Sequence, residues 1–422
     1  MPGMSHLVAE ARATTPLRTV AEAGSYIGRV CFKHGPPSRI GTELEWLLTD
    51  PANPGRRPEL ATLAAALGEH APRTIDPDSP ARPLPAGGMI TVEPGGQVEI
   101  SSAPATSCAD LIGAVRRDIA VLTELLEPTG FSLADCASYP DRSGHRLLRT
   151  PRYDAMADGF ARISPAGATM MCATAATQVC LDLGLPDDAA DRWRAAHLIG
   201  PVLLAAFANS PADGLVSSRM AAWWTLDPAR TCPPESLEPE AYVDRALDTP
   251  LLARQRPDGD WSVRQPETVR QLIEAGEPLD TGDLDLHLSM LFPPVRPQGY
   301  LELRYLDAQP AGEWVAPLAL LAGLFADPAL LAEATEACSP TADRWQQATR
   351  LGLADPLLAA AGRELARIAG PAIERLELPP DSAEQVQSLI GLRLGAGSCP
   401  AHDRGRASDG RPSRPVPEGR RP

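Results

Sequence analysis

Residues 41–46 read Gly-Thr-Glu-Leu-Glu-Trp. Successive side chains on a β-strand alternate faces, so Glu43 and Glu45 share one face while Leu44 and Trp46 share the other. Two carboxylates on one face repel each other, and burying them without a cation is costly. Such a pair is therefore either a solvated edge strand or a place for metal or proton work. Residues 89–102 (Met-Ile-Thr-Val-Glu-Pro-Gly-Gly-Gln-Val-Glu-Ile-Ser-Ser) add a second acidic stretch. Pro94-Gly95-Gly96 between two β-rich runs predicts a hairpin, with Glu93 at the turn and Gln97 and Glu99 on one face. A third stretch, 300–307, sets Leu301, Leu303 and Tyr305 on one face and Glu302 and Arg304 on the other.

Three separated strands with acidic faces make an acid-lined sheet. Hard oxygen donors in this number suit Mg²⁺ or Mn²⁺ rather than zinc. Arginines beside them suit phosphate, and an acid and an arginine two apart on one face match a place where metal and anion meet. Residues 169–182 read as a further strand with Thr174, Ala176, Gln178 and Cys180 on one face. Residues 215–231 hold two tryptophans between Arg219 and Arg230, which either pack by cation–π contact or bind an anionic substrate. His287 alone reads as a hydrogen-bonded structural residue.

Composition narrows the chemistry. The chain has 422 residues and a net charge of −15, which speaks against nucleic acid or an anionic membrane as partner. Lys33 is the only lysine, so no Gly-x-x-x-x-Gly-Lys-Ser/Thr loop exists, and phosphate must be held by arginine, backbone amides and carboxylate-bound metal. The eight cysteines form no Cys-x-x-Cys pair and read as reduced. No apolar run approaches a membrane span and residues 1–15 lack the apolar core of a leader, so the expected location is cytoplasmic.

The elements that must position these residues follow from periodicity. Helices are expected over 5–30, 59–68, 107–127 and 187–208, a loop over 31–38, and a strand and loop over 131–153. Residues 315–393 read as helical with breaks at Pro340, Pro356 and Pro371. Residues 396–422 are rich in Gly, Ser, Pro and Arg and read as a disordered tail behind one folded unit, 1–395, whose part 315–395 is helical. The fold class is α+β, a curved and mostly antiparallel sheet surrounded by helices.

A metal–nucleotide site without a P-loop suits activation of a carboxylate: ATP converts it to an acyl phosphate that an amine attacks. At this point longer motifs become informative. Thr91-Val-Glu-Pro-Gly-Gly-Gln-Val-Glu99, Arg152-Tyr-Asp-Ala-Met156, Phe207-Ala-Asn-Ser-Pro211, Tyr242-Val-Asp-Arg-Ala-Leu-Asp248, His287-Leu-Ser-Met-Leu-Phe-Pro293 and Tyr300-Leu-Glu-Leu-Arg304 resemble glutamate–cysteine ligases of the plant-type branch, in order over about residues 38–325. The arginine-rich, lysine-poor composition resembles the ergothioneine-pathway members. The resemblance implies a cup-like sheet related to that of glutamine synthetase, and ATP, L-glutamate and L-cysteine as substrates. It implies that Glu43, Glu45, Glu93, Glu99 and Glu302 hold Mg²⁺, with Gln178 at a metal-site position. Arg304 would meet the γ-phosphate and, with Glu302, carry the chemistry. Arg219 and Arg230 would bind substrate carboxylates, Trp223 would line the pocket, and Arg152, Tyr153 and Met156 would sit in a substrate-adjacent loop. Gly299 and Pro294 depart from the usual plant-type residues, as does the extra Trp224. Two alternatives remain open: a related ligase with another amine acceptor, and a non-catalytic binding homologue.

Overall fold

The computed structural model describes residues 14–142, 144–256, 258–263 and 265–408. A six-stranded sheet forms its centre, from β1 (Ile40–Trp46), β2 (Met89–Val92), β3 (Val98–Ser101), β4 (Ala176–Leu181), β5 (Val295–Pro297) and β6 (Leu301–Asp307). The order is β2-β3-β1-β4-β6-β5, every pairing is antiparallel, and the sheet is open. This is the α+β architecture expected from the strand patterns.

The register gathers the polar residues. Glu43 stands opposite Gln178 on β4 and Ser101 on β3, and Glu45 opposite Glu99. Glu302 stands opposite Cys180 on one side and Arg296 on the other. A bulge between Leu303 and Leu306 shifts the register, so that Asp307 pairs with Ala176 and returns to the polar face. The β2–β3 turn needs its glycines: Gly96 has φ +84°, and a Cβ on Gly95 would lie 2.1 Å from the carbonyl oxygen of Cys172.

The other face carries Leu44, Trp46, Val98, Ile100, Val179, Leu301, Leu303 and Tyr305, all buried in the main core. Helices complete that core: α1 (Val20–Cys31), α2 (Cys108–Leu126), α3 (Pro151–Ile163), α4 (Ala166–Cys172), α5 (Gly200–Ala206), α6 (Ser218–Leu226), α7 (Val315–Ala326) and α8 (Pro356–Glu374), while α9 (Pro400–Ser408) packs in a small separate cluster with Ala208 and Val216. Helix α7 is apolar all round and buried from Val315 to Phe325, as a central core helix must be. No single described helix is long and apolar enough to cross a membrane.

Several expected boundaries move. The helix expected from residue 5 begins at Val20, where Thr19 and Glu22 form a capping box; Pro16–Leu17 instead pairs with Leu279–Asp280, and residues 5–13 lie outside the described residues. The strand expected over 169–182 is helix α4 followed by β4. Residues 187–208 divide into a helix Pro186–Leu198 and α5. Pro371 lies inside α8 without ending it, because Leu365, Ile368, Ala372 and Ile373 keep one face of the helix buried through the proline.

The disorder expected from residue 396 is not what the structure shows up to 408. Cys399 and Ala401 are buried, Ala401 N donates to Ala208 O (3.0 Å), and Arg404 Nε donates to Asn209 Oδ1 (3.0 Å). Docking of α9 against the segment after α5 accounts for the order. Residues 409–422 lie outside the described residues.

Candidate active site

The polar face of the sheet floors a cavity of ≈ 940 Å³, mouth included. Glu43, Glu45, Glu93, Glu99, Gln178, Glu302 and Arg304 all line it, each delivered by strand alternation or, for Glu93, by the hairpin turn. Arg152, Tyr153 and Met156 line it too. They lie on α3, not in the loop expected from sequence: Thr150 caps the helix by accepting from Tyr153 N, and Pro151 occupies its first turn. The helical spacing carries Tyr153 and Met156 to one side of the helix. Arg219 and Trp223 come from successive turns of α6.

A continuous hydrogen-bonded relay crosses the floor. Glu45 Oε2 accepts from Ala176 N (2.9 Å) and Glu45 Oε1 from Gln178 Nε2 (2.9 Å). Gln178 Oε1 accepts from Arg304 Nη1 (2.6 Å), which also donates to Glu302 Oε2 (2.7 Å). Arg296 completes it with Nε on Glu302 Oε2 (2.7 Å) and Nη2 on Glu302 Oε1 (3.2 Å). Burial pushes the Glu302 carboxyl up, but Arg296 and Arg304 outweigh it and hold Glu302 at about 2. Glu302 is ionised and firmly placed.

The other acids are in a different state. Glu43 has no hydrogen bond or ion pair among the described residues, although it is 5% exposed. Burial first, then the Glu302 charge, raise it to about 8. Burial and Glu45 raise Glu93 to about 7, and Tyr153 Oη donates to its Oε2 (3.4 Å). Glu99 lies well above the usual carboxylate range through burial and then Glu43, Glu45 and Glu93. Thr91 Oγ1 (3.0 Å) and Ser101 Oγ (2.9 Å) donate to its Oε1. Burial also raises Glu45, against Arg219 and Arg304. Mutual repulsion in a low-dielectric cleft is relieved by protonation or by a cation. The donors are almost all carboxylate oxygens and one is unsatisfied, so the residues fit a hard divalent ion.

The aromatic wall is built for cations as well. The guanidinium groups of Arg219 and Arg304 lie 5.1 and 5.5 Å from the Trp223 ring centroid. Trp223 Nε1 and Arg304 Nε are buried without partners among the described residues. Arg219 is anchored by Nη2 donating to Arg304 O (2.8 Å) and by Asp307, 3.6 Å from its Nη1. Arg152 Nη2 donates to Ser289 O (3.1 Å), and its Nε has no partner among the described residues.

One expected site residue is not brought there. Arg230 does not line the cavity: Nε donates to Asp227 Oδ2 (3.1 Å), Nη1 to Met290 O (2.9 Å) and Nη2 to Pro250 O, so the whole fork is spent inside the fold. The structure thus places Arg230 outside the cavity where a substrate carboxylate was expected to meet it, with its nitrogens holding Asp227, Met290 and Pro250. His287 is structural as expected, with Nε2 against Ala246 O (2.8 Å). In the other direction, Arg296 lines the cavity without standing out in the sequence pattern. The signal is a short strand, Val295-Arg-Pro297, separated from Tyr300 by two residues, of which Gly299 is in the left-handed region at φ +77°. A hairpin there puts Arg296 against Glu302.

Residues 39–409 match the model of glutamate-cysteine ligase family 2 (GCS2). The chain belongs to that family. Among relatives of this ligase, glutamate–cysteine ligase EgtA of Mycobacterium tuberculosis is 36% identical over 90% of this chain and 88% of its own length. A chloroplastic glutamate–cysteine ligase of Brassica juncea is 29% identical, over 75% of this chain and 65% of its own, in line with the plant-type resemblance. A glutamate–cysteine ligase crystal structure from Francisella tularensis, in complex with AMP, superposes with a TM-score of 0.52 at 14% identity, covering 90% of this chain and 86% of that one. It shares the fold.

Proposed function

We propose that this ligase joins the γ-carboxylate of L-glutamate to the amine of L-cysteine with ATP, through γ-glutamyl phosphate, giving γ-glutamylcysteine for ergothioneine biosynthesis. The observation that carries the reading is a cavity lined by five carboxylates, with Glu43, Glu99 and Glu302 buried and Glu45 and Glu93 half-buried, together with Arg296 and Arg304, where Glu43 has no hydrogen bond or ion pair among the described residues. Glu43, Glu45, Glu93, Glu99 and Glu302, with Gln178, would hold Mg²⁺, and the same oxygens accept Mn²⁺. Bound there, the ion neutralises phosphate oxygens and favours phosphoryl transfer to a carboxylate.

The protein's own groups supply the rest. Arg304, whose buried Nε has no partner among the described residues, meets the transferring phosphoryl group, and the Arg296–Glu302 pair holds Arg304 in place. Arg152 and Arg219 receive the amino-acid carboxylates, Tyr153 and Met156 shape that wall, and Trp223 closes it. A second cleft, lined by Gly41, Ser101, Cys180 and Tyr300, meets the first at Glu43. It is mostly apolar and is the natural place for the nucleoside, with phosphates reaching Glu43 and Glu302. Attack of the glutamate carboxylate on the γ-phosphorus releases ADP; attack of the cysteine amine on the acyl carbon then releases phosphate. All eight cysteines are free, which suits a reducing cytoplasm.

The test is ADP release with Mg²⁺, ATP and glutamate, with and without cysteine, and mass detection of the dipeptide. Cysteine-dependent ADP release with γ-glutamylcysteine is expected. Equal or faster turnover with another amine in place of cysteine would overturn the acceptor, and no phosphate release at all would overturn the enzyme reading.

A further inference from the structure

Where the two clefts meet, a thiol stands among the acids. Cys180 lies on β4 directly opposite Gly41 of β1 and Glu302 of β6. Its sulfur, a Glu43 oxygen and a Glu302 oxygen all lie within 4.8 Å of one another. Three further observations turn this proximity into a site. Glu43 is more than nine-tenths buried and its carboxylate has no hydrogen bond or ion pair among the described residues. Glu302 Oε1 accepts one long hydrogen bond, from Arg296, and keeps a lone pair for another partner. Opposite Cys180 there is no side chain but Gly41, so nothing fills the space above the thiol from that strand.

We propose that Glu43, Cys180 and Glu302 form a mixed thiolate–carboxylate site for a thiophilic divalent cation, Zn²⁺ by its chemistry, at the junction of the two clefts. A tetrahedral ion with a sulfur ligand at about 2.3 Å and oxygens at about 2.0–2.2 Å needs ligand atoms roughly 3.5 Å apart. The three ligand atoms already lie within 4.8 Å of one another, and Cys180 and Glu43, the latter without a hydrogen bond or ion pair among the described residues, are the side chains that would close the remaining distance on Glu302. The fourth position faces the cleft, open to water or to a phosphate oxygen. Binding exchanges the thiol proton for the metal, Cys–SH + M²⁺ giving Cys–S–M⁺ + H⁺, with the proton passing to solvent. Mg²⁺ has no use for sulfur, so the thiol separates the two classes of ion. An ion held there occupies the acids proposed to serve ATP and blocks nucleotide binding. That consequence rests on the proposed ligase reading; the binding itself does not.

Co²⁺ is the probe, because a thiolate ligand gives it a sulfur-to-metal charge-transfer band in the near ultraviolet. Full-length protein with one equivalent of Co²⁺ is expected to show that band, and Zn²⁺ to abolish it. Cys180→Ser, near-isosteric and with the other seven cysteines intact, is expected to lack it. Against a chromophoric chelator, Cys180→Ser should bind Zn²⁺ more weakly by at least the roughly 10- to 100-fold that loss of a mere supporting group costs a metal site. Glu43→Gln should weaken Co²⁺ binding while keeping the thiolate band at saturation. A wild-type protein without the band, a band surviving in Cys180→Ser, or unchanged affinity in Glu43→Gln would each overturn the site. The Mg²⁺-dependent ADP assay is separate: cobalt bound through Cys180 in a protein that releases no ADP sinks the ligase reading and leaves the metal site standing.

Discussion

Arg230 and Arg304 are both buried arginines with an acid beside them, yet their surroundings differ in kind. Around Arg230, Asp227 and two backbone carbonyls take all three nitrogens of the fork. Burial lowers Arg230 to about 10, against the pull of Asp227. Around Arg304, Nη1 is shared by Gln178 and Glu302, Nε has no partner among the described residues, and the guanidinium faces an acid-lined cavity. A saturated arginine is a fastener. An unsaturated one that faces space is available to a ligand. The same test separates Glu302, held by two arginines, from Glu43, held by none.

The sharpest way to break this distinction is to remove Arg304. Arg304→Ala is expected to lower kcat by roughly 10³-fold, the scale for an arginine facing a transferring phosphoryl group, with a smaller loss of stability than Arg230→Leu because Arg296 stays paired with Glu302. Steady-state ADP release beside a melting curve checks it. A mutant that unfolds without losing specific activity would make Arg304 a fastener too.

Arg230→Leu is expected to do the reverse. Removing one partner of a buried pair costs about 3–5 kcal/mol, read as a lower urea midpoint, while the remaining folded fraction turns over normally. If Arg230→Leu lost activity with stability intact, the expectation of a substrate role would be restored.

The acids give a pH signature of intermediate size. Glu43 at about 8 and Glu93 at about 7 lie above their ordinary value of 4.5, so their contribution to stability is full below about pH 4.5 and is lost as pH rises through 7–8. Glu302 at about 2 acts oppositely: its contribution is present above about pH 4.5 and is lost as pH falls toward 2. Metal-free protein should therefore melt progressively lower from about pH 5 to pH 8, and added Mg²⁺ should recover more stability at pH 8 than at pH 5. Glu43→Gln should flatten the alkaline side. Melting midpoints against pH, with Mg²⁺ and with chelator, check this; a pH-independent metal effect would sink it.

The smallest expected effect lies within the fastener. Asp227→Asn keeps an acceptor for Arg230 Nε and leaves both carbonyls in place, so it should cost only about 1–3 kcal/mol. A cost equal to that of Arg230→Leu would mean that the ion pair, rather than the saturated fork, holds the region.

Much of the site was readable because it rests on a local rule. Strand alternation alone puts Glu43 with Glu45 and Glu302 with Arg304, and the Pro94-Gly95-Gly96 turn alone predicts the hairpin that brings Glu93 and Glu99. The helix bearing Arg152, Tyr153 and Met156 is also locally marked, by Thr150 as cap and Pro151 after it, though residues 131–153 read as a strand and loop. The order after residue 396 was not marked, since that segment is poor in large apolar residues and is ordered by contacts with residues nearly two hundred positions away.

Residue type and period two thus determined which side chains share a strand face and that the shared face is acidic. Tertiary structure alone decided the rest. It set β1, β3, β4 and β6 side by side so that three acidic faces became one floor, and it joined Arg296 to Glu302. It also spent every nitrogen of Arg230 inside the fold, left Glu43 with no partner among the described residues, and brought Cys180 to the acids. Alternation is a property of the backbone between neighbours. Pairing and saturation depend on which distant groups arrive at hydrogen-bonding distance, and no single stretch of chain contains both partners.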